Sequence, residues 1–168
     1  MATTYEPIAT TTISGSTTTT FSFTSIPSTY TDLRVIIVGE PSTYSYSLNL
    51  QMKYNSSSTG YSVTNVYGSG SAPGSSSTTN ATYIRANIDN YGIGFWDINI
   101  FSYTASMYKT ALTSFNNNAN TNYGITEKNV SLWQNTSAIT SITFNIANPS
   151  LVKFGDGMTF TLYGILRA

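Results

Sequence analysis

Residues 45–54 read Ser-Tyr-Ser-Leu-Asn-Leu-Gln-Met-Lys-Tyr. In an extended chain Tyr46, Leu48, Leu50, Met52 and Tyr54 share one face, and Ser47, Asn49, Gln51 and Lys53 the other. A period of two marks a strand with one side on a core and one toward water. The same period recurs on both sides of this stretch. Upstream, Phe21 and Phe23 alternate with Thr20, Ser22 and Thr24, and residues 33–38 form a short apolar run suited to a strand buried on both faces. Downstream, residues 61–67, 82–88, 96–101, 109–116, 129–134, 139–146 and 158–165 complete nine or ten candidate strands. No stretch carries a sustained 3.6-residue stripe; a single helical turn around residues 103–108 is all the helix expected. Many short strands with polar connections predict an all-β fold: an antiparallel β-sandwich of jelly-roll type, formed by residues 13–168 as one domain.

Composition narrows the chemistry. Of 168 residues, 28 are Thr, 24 Ser and 16 Asn, whereas charged residues make up 8% and cancel to a net charge of zero. The chain has no His and no Cys. A Ser–His–Asp triad, a thiolate nucleophile, a disulfide framework and His- or Cys-ligated zinc are therefore excluded. Sparse, balanced charge argues against binding to nucleic acid or to anionic membranes. Abundant Tyr, Phe, Ile and Val argue against disorder, and 168 residues suffice to bury a core without staples.

The remaining catalytic candidates are weak. Seven carboxylates (Glu6, Asp32, Glu40, Asp89, Asp97, Glu127 and Asp156) are spread thinly, with no calcium-loop spacing. Asp97, beside Trp96, is the one carboxylate placed to suit a sugar site, but its register puts it on the solvent face of a strand. Asp156, in Gly155-Asp156-Gly157, reads as a turn residue bonding local backbone. A serine nucleophile without His needs a lysine base, and no Ser-x-x-Lys pattern surrounds Lys53, Lys109, Lys128 or Lys153. No Walker loop is present. The chain reads as a non-enzyme that needs no cofactor. Among the aromatics, Tyr46, Tyr54, Trp96 and Phe160 are expected in the core. Tyr83, Tyr103, Tyr108, Tyr123 and Tyr163 are candidates for contact surfaces. Residues 55–60 and 116–124 read as turns, and residues 68–79, Gly-Ser-Gly-Ser-Ala-Pro-Gly-Ser-Ser-Ser-Thr-Thr, as a mobile surface loop.

Three segments carry a resemblance. Residues 21–33, Phe-Ser-Phe-Thr-Ser-Ile-Pro-Ser-Thr-Tyr-Thr-Asp-Leu, contain a Ser-Ile-Pro-x-Thr-Tyr-Thr-Asp-Leu core followed by an apolar strand. With residues 132–143 (Leu-Trp-Gln-Asn-Thr-Ser-Ala-Ile-Thr-Ser-Ile-Thr) and 155–165 (Gly-Asp-Gly-Met-Thr-Phe-Thr-Leu-Tyr-Gly-Ile), this resembles a family of small virion structural proteins of tailed bacteriophages. The central third departs from that family in being rich in tyrosine and nearly uncharged. The resemblance implies a capsid decoration or cement protein that stabilises the shell. The alternative it implies is the tip of a head or tail fibre, a receptor-binding protein contacting host surface glycans. Either role implies assembly into a homo-oligomer, a trimer in the usual case, and contact with the major capsid protein or another virion protein. The N-terminus lacks a basic region followed by an apolar one, so synthesis in the host cytoplasm without an export signal, and location in the virion, are expected.

Residues 1–12 alternate weakly. They read either as an extended N-terminal arm or as an edge strand, because Pro7 cannot donate to a sheet ladder. Tyr5 and Ile8 are the large apolar side chains of this stretch. Tyr5, Pro7 and Ile8 are accordingly the candidate partner-binding residues, as anchors of a strap laid over a neighbouring subunit or the capsid.

Overall fold

The computed structural model describes residues 5–70, 72–87, 90–119 and 124–166. These residues form twelve strands and no helix: β1 (Tyr5–Thr12), β2 (Thr20–Phe23), β3 (Asp32–Gly39), β4 (Leu50–Tyr54), β5 (Tyr61–Gly68), β6 (Pro73–Ala81), β7 (Ile84–Arg85), β8 (Gly92–Phe101), β9 (Lys109–Ala119), β10 (Ile125–Trp133), β11 (Ile142–Ile146) and β12 (Thr159–Ile165). They lie in two antiparallel sheets, β1-β12-β3-β8-β9-β10-β5-β6 and β2-β11-β4-β7.

This order resolves into a simple plan. Set aside the hairpins β5–β6 and β9–β10, and eight strands remain. Renumbered one to eight along the chain, they lie as 1-8-3-6 and 2-7-4-5. Successive strands alternate between the two sheets, save the fourth and fifth, which pair within the small one; this is the wrapping of a jelly roll. The two hairpins are insertions. One leaves between β4 and β7, the other between β8 and β11, and they pair with each other through β10 and β5. Together they widen one sheet from four strands to eight.

The core follows from the alternation. Leu33, Val35 and Ile37 of β3, Trp96, Ile98 and Ile100 of β8, and Phe160 and Leu162 of β12 face Leu50, Met52 and Tyr54 of β4 and Ile142, Phe144 and Ile146 of β11, all buried. Aromatic rings concentrate at three places. Phe160 touches Phe21, Phe144 and Phe154. Trp96 lies 4.9 Å from Phe115. Tyr54, Tyr61 and Trp133 form a triangle of centroid distances 5.6–6.2 Å. Asn87 continues the small sheet past its two-residue last strand: its Oδ1 accepts from Leu50 N, and its Nδ2 donates to Leu48 O.

Several expectations need correction. Tyr46 is 45% exposed rather than core, because β4 begins at Leu50 and the chain turns just before it. Residues 82–88 give only the two-residue β7, and Ile88 lies outside the described residues. No helical turn forms near residues 103–108; the chain makes a tight turn closed by Ala105 N to Ser102 O. The largest miss is the loop expected at residues 68–79. Pro73–Ala81 is β6, paired along β5. Serine and threonine on a strand exposed on both faces leave no apolar alternation to read. The strand is held by its ladder and by Tyr67, whose ring covers Gly74 directly across the pair, so closely that a Cβ there would lie 2.3 Å from it. The turn expected at 116–124 is replaced as far as Ala119 by β9, and residues 120–123 lie outside the described residues.

The Tyr54–Tyr61 pair yields a stability prediction. Tyr61 Oη accepts from Tyr54 N and donates to Tyr54 O or Ser57 O. Tyr54 Oη is fully buried and has no partner among the described residues. Burial pushes both phenols above their ordinary value. The unfolded chain then loses these protons first, near pH 10, so stability is complete below that pH and declines as pH rises above it. Tyr54→Phe removes a buried, unsatisfied hydroxyl. It is expected to raise stability by about 1 kcal/mol at neutral pH and to lessen the alkaline decline, both read from urea unfolding at pH 7 and pH 11.

Candidate functional site

The insertions make the outer face of the large sheet broad and leave it open. On this face β3 presents Ile36 and Val38, β8 presents Ile93 and Phe95, β9 Leu112, β10 Val130 and β5 Val66. Val38 and Phe95 stand directly opposite each other, as do Leu112 and Val130. Phe95 is 41% exposed and Val130 50%. Two apolar clusters result: Val38, Ile93 and Phe95 toward one end, and Leu112, Val130 and Val66 across the insertion strands. The second cluster lines a shallow groove of about 310 Å³ with Asn99, Thr64 and Lys128 at its sides.

Between the clusters the charges are satisfied locally. Arg34 grips Asp97 with two bonds of 2.7 Å, from Nε to Oδ1 and from Nη2 to Oδ2. The carboxylate beside it holds the guanidinium above its ordinary pKa. Asp97 is thus half-buried in an ion pair on the outer face, its carboxylate aimed at Arg34. Lys128 Nζ donates to Ser114 Oγ across the β9–β10 pair.

The N-terminal candidates divide. Residues 5–12 are the edge strand β1 of this chain's own large sheet, not an arm leaving the sandwich. Pro7 sits exposed on that edge, where its missing N–H breaks no internal ladder. Tyr5, 42% exposed, lies on the outer face; its Oη accepts from Arg34 Nη1 at 2.7 Å, and its ring packs on Tyr163 at 5.9 Å. Ile8, at the bulge between Pro7 and Ala9, turns the other way and packs against this chain's own core. Tyr5 and Ile8 therefore do not act together as strap anchors. Tyr5 joins the Arg34–Asp97 pair in one polar cluster on the outer face; of the two readings of residues 1–12, residues 5–12 take the edge strand, and residues 1–4 lie outside the described residues.

Other sequence candidates fall into structural roles. Asp32 Oδ1 accepts from Ser102 N at 2.6 Å, tying β3 to the turn after β8. Asp156 Oδ1 accepts from Gly15 N at 2.7 Å, joining two loops 141 residues apart. Tyr103 is buried, not a contact residue, and donates to Pro27 O. Tyr108 is exposed, and Tyr83 and Tyr163 are half-buried; Tyr123 lies outside the described residues. Lys109 is buried and caps carbonyls of Ala105, Met107 and Thr136, and burial lowers its pKa. Among the described residues no three carboxylates gather to hold a metal ion, and no helix is long and apolar enough to cross a membrane. The open sheet face escaped the sequence reading because single apolar residues on a strand's polar side, such as Val66 or Val130, have no neighbours in sequence to mark them; only pairing across strands collects them.

Comparison with family models, with curated proteins and with solved structures finds no match to this chain.

Proposed function

We propose that this protein is a bacteriophage virion structural protein, a decoration or cement protein that works by contact rather than catalysis. The observation that carries the reading is the open outer face of the eight-stranded sheet. Apolar patches rimmed by polar residues are contact surfaces, and the Leu112, Val130 and Val66 cluster of this one stands on inserted hairpins that the jelly roll itself does not need. The resemblance in residues 21–33, 132–143 and 155–165 supplies the phage context.

A second copy of this chain is the occupant that fits the face best. Its Arg34 and Asp97 neutralise each other, so that pair leaves no net charge under a neighbouring copy seated on the face. Closed assembly also covers sheet edges that a chain with so few charges defends poorly. A trimer is the expected assembly, closed head-to-tail so that the open face of each copy seats on a different surface of the next, with the loops left for the shell. Leu112→Glu combined with Val130→Glu places two charges in the groove. Both side chains point away from the core, so circular dichroism is expected to stay unchanged while sedimentation shifts from an oligomer to a monomer, with at least a tenfold weaker association. A parent protein that sediments as a monomer at micromolar concentration overturns the assembly. Gold-labelled protein seen by electron microscopy in intact particles tests the role: label over the whole shell supports decoration, label at fibre tips transfers the protein to the receptor-binding role, and absence from particles overturns the proposal.

A further inference from the structure

The β5–β6 hairpin overhangs the free edge of the small sheet and closes a cavity of about 320 Å³ against the β6–β7 connection and β7 itself. Val63, Asn65, Ser76, Thr78, Tyr83 and Arg85 are central to its lining. The polarity of its floor can be deduced. Glu127 is buried on the adjacent strand β10, and a carboxylate only accepts. Asn65 must therefore turn its Nδ2 toward Glu127 Oε1, at 2.7 Å, and its Oδ1 toward β6. That oxygen accepts from Ser76 N and from Ser76 Oγ. With its proton committed, Ser76 Oγ has a lone pair left, which accepts from Arg85 Nη2 at 3.3 Å. The chain of donors runs one way: Arg85 to Ser76 to Asn65 to Glu127.

This relay holds one corner of the guanidinium and, among the described residues, leaves the rest of its five N–H donors unspent. Among the described residues no carboxylate pairs with Arg85, and Arg85 is the one charged group of the lining. Around it stand neutral hydrogen-bonding groups, including Asn80 and Thr82, and one aromatic ring, Tyr83. Asn129 Nδ2 donates to Arg85 O and fixes the backbone beneath.

We propose that this cavity binds an acidic saccharide. The Arg85 fork takes the sugar carboxylate, for which its planar donors are matched. Tyr83 packs on the apolar face of the pyranose. Thr78 and Asn80 exchange hydrogen bonds with ring hydroxyls. The site is separate from the outer face of the large sheet and does not depend on assembly through it.

The test uses the full chain and a tetrasaccharide of hexuronic acid, with its fully methyl-esterified form as the uncharged control. Calorimetric titration is expected to show binding of the acid and at least tenfold weaker binding of the ester. Arg85→Ala and Tyr83→Ala are each expected to weaken binding of the acid at least tenfold, with thermal unfolding confirming that both variants fold. The Leu112→Glu, Val130→Glu protein is expected to bind as the parent does. No binding of the acid overturns the proposal. So does equal binding of acid and ester, or binding that Tyr83→Ala and Arg85→Ala leave unchanged. Should Arg85→Ala fail to fold, the ester control and Tyr83→Ala decide the matter.

Discussion

Phe160→Ala is expected to lose about 3–5 kcal/mol of stability, the usual loss for a buried aromatic truncated to alanine. In a chain of this length that lowers Tm by roughly 10 °C. Phe160 is fully buried on β12 and joins the two sheets. Its ring lies 4.7 Å from Phe21 of β2, 5.6 Å from Phe144 of β11, and 5.3 Å from Phe154 of the loop before β12. The cavity left by truncation therefore opens at the sheet-to-sheet contact, where rigid strands cannot collapse to fill it. Phe95→Ala supplies the contrast. It removes the same side chain from the outer face of the same sheet, where Phe95 is 41% exposed, and is expected to change stability by about 0.5 kcal/mol or less. Differential scanning calorimetry on both variants measures the difference. Equal losses for the two would contradict the assignment of inner and outer faces on which the contact surface rests.

The jelly-roll strands were the legible part of this sequence, and the reason is physical. Phe23, Leu50, Met52 and Phe160 bury one face of a strand each and so write a period of two into the chain, whereas β3, expected to be buried on both faces, buries Leu33, Val35 and Ile37 and turns Ile36 and Val38 to the open side. The alternation in residues 45–54 overreaches only at its start, where Tyr46 keeps the period but the chain has not yet entered the sheet. The insertions obey a different rule. Under the hairpins the inner face is itself polar: Asn65, Thr113, Glu127, Asn129 and Ser131 are buried there. Polar residues inside and polar residues outside weaken the contrast that a sequence reading uses, so β5, β9 and β10 are read as strands, but β9 is cut short at residue 116 and β10 is begun late at residue 129. β6 shows the limit, since Ser75, Ser76 and Ser77 specify nothing alone and take their places from the ladder with β5 and the ring of Tyr67 over Gly74.

The candidate sites were less legible for a related reason. Tyr83 was readable as a contact residue by its type, but Arg85 was not, because its partner Ser76 and the groups behind it come from three further strands. The carboxylates illustrate the same point from the other side. Asp97 next to Trp96 looked most like sugar-site chemistry, yet it is spent on Arg34, while Glu127, in a stretch with no motif at all, organises the floor of the cavity through Asn65. A sequence lists the donors and acceptors; which of them remain unspent is decided only by the ladder that brings distant strands side by side.

Gly39→Ala is expected to lose about 3–4 kcal/mol of stability, from overpacking and backbone strain together. Gly39 ends β3 with φ +156, and a Cβ there would lie 2.7 Å from Met158 Cα and 2.6 Å from Met158 Cβ. The obstacle is the neighbouring strand's own entry, not the free end of a side chain, so it moves only if the β3–β12 pairing moves. Met158 is fully buried and receives a hydrogen bond from Ile13 N at its carbonyl, which couples any shift to the β1–β2 connection as well. Gly157 separates the two components of this loss. Its φ is +79, but a Cβ would meet nothing within 4 Å. Gly157→Ala is therefore expected to lose only about 1 kcal/mol, the cost of a left-handed backbone without a clash. Chemical denaturation of the two variants measures the gap. If Gly39→Ala lost no more than Gly157→Ala, the close approach of β3 to the start of β12 would be wrong, and with it the packing that sets the two sheets face to face.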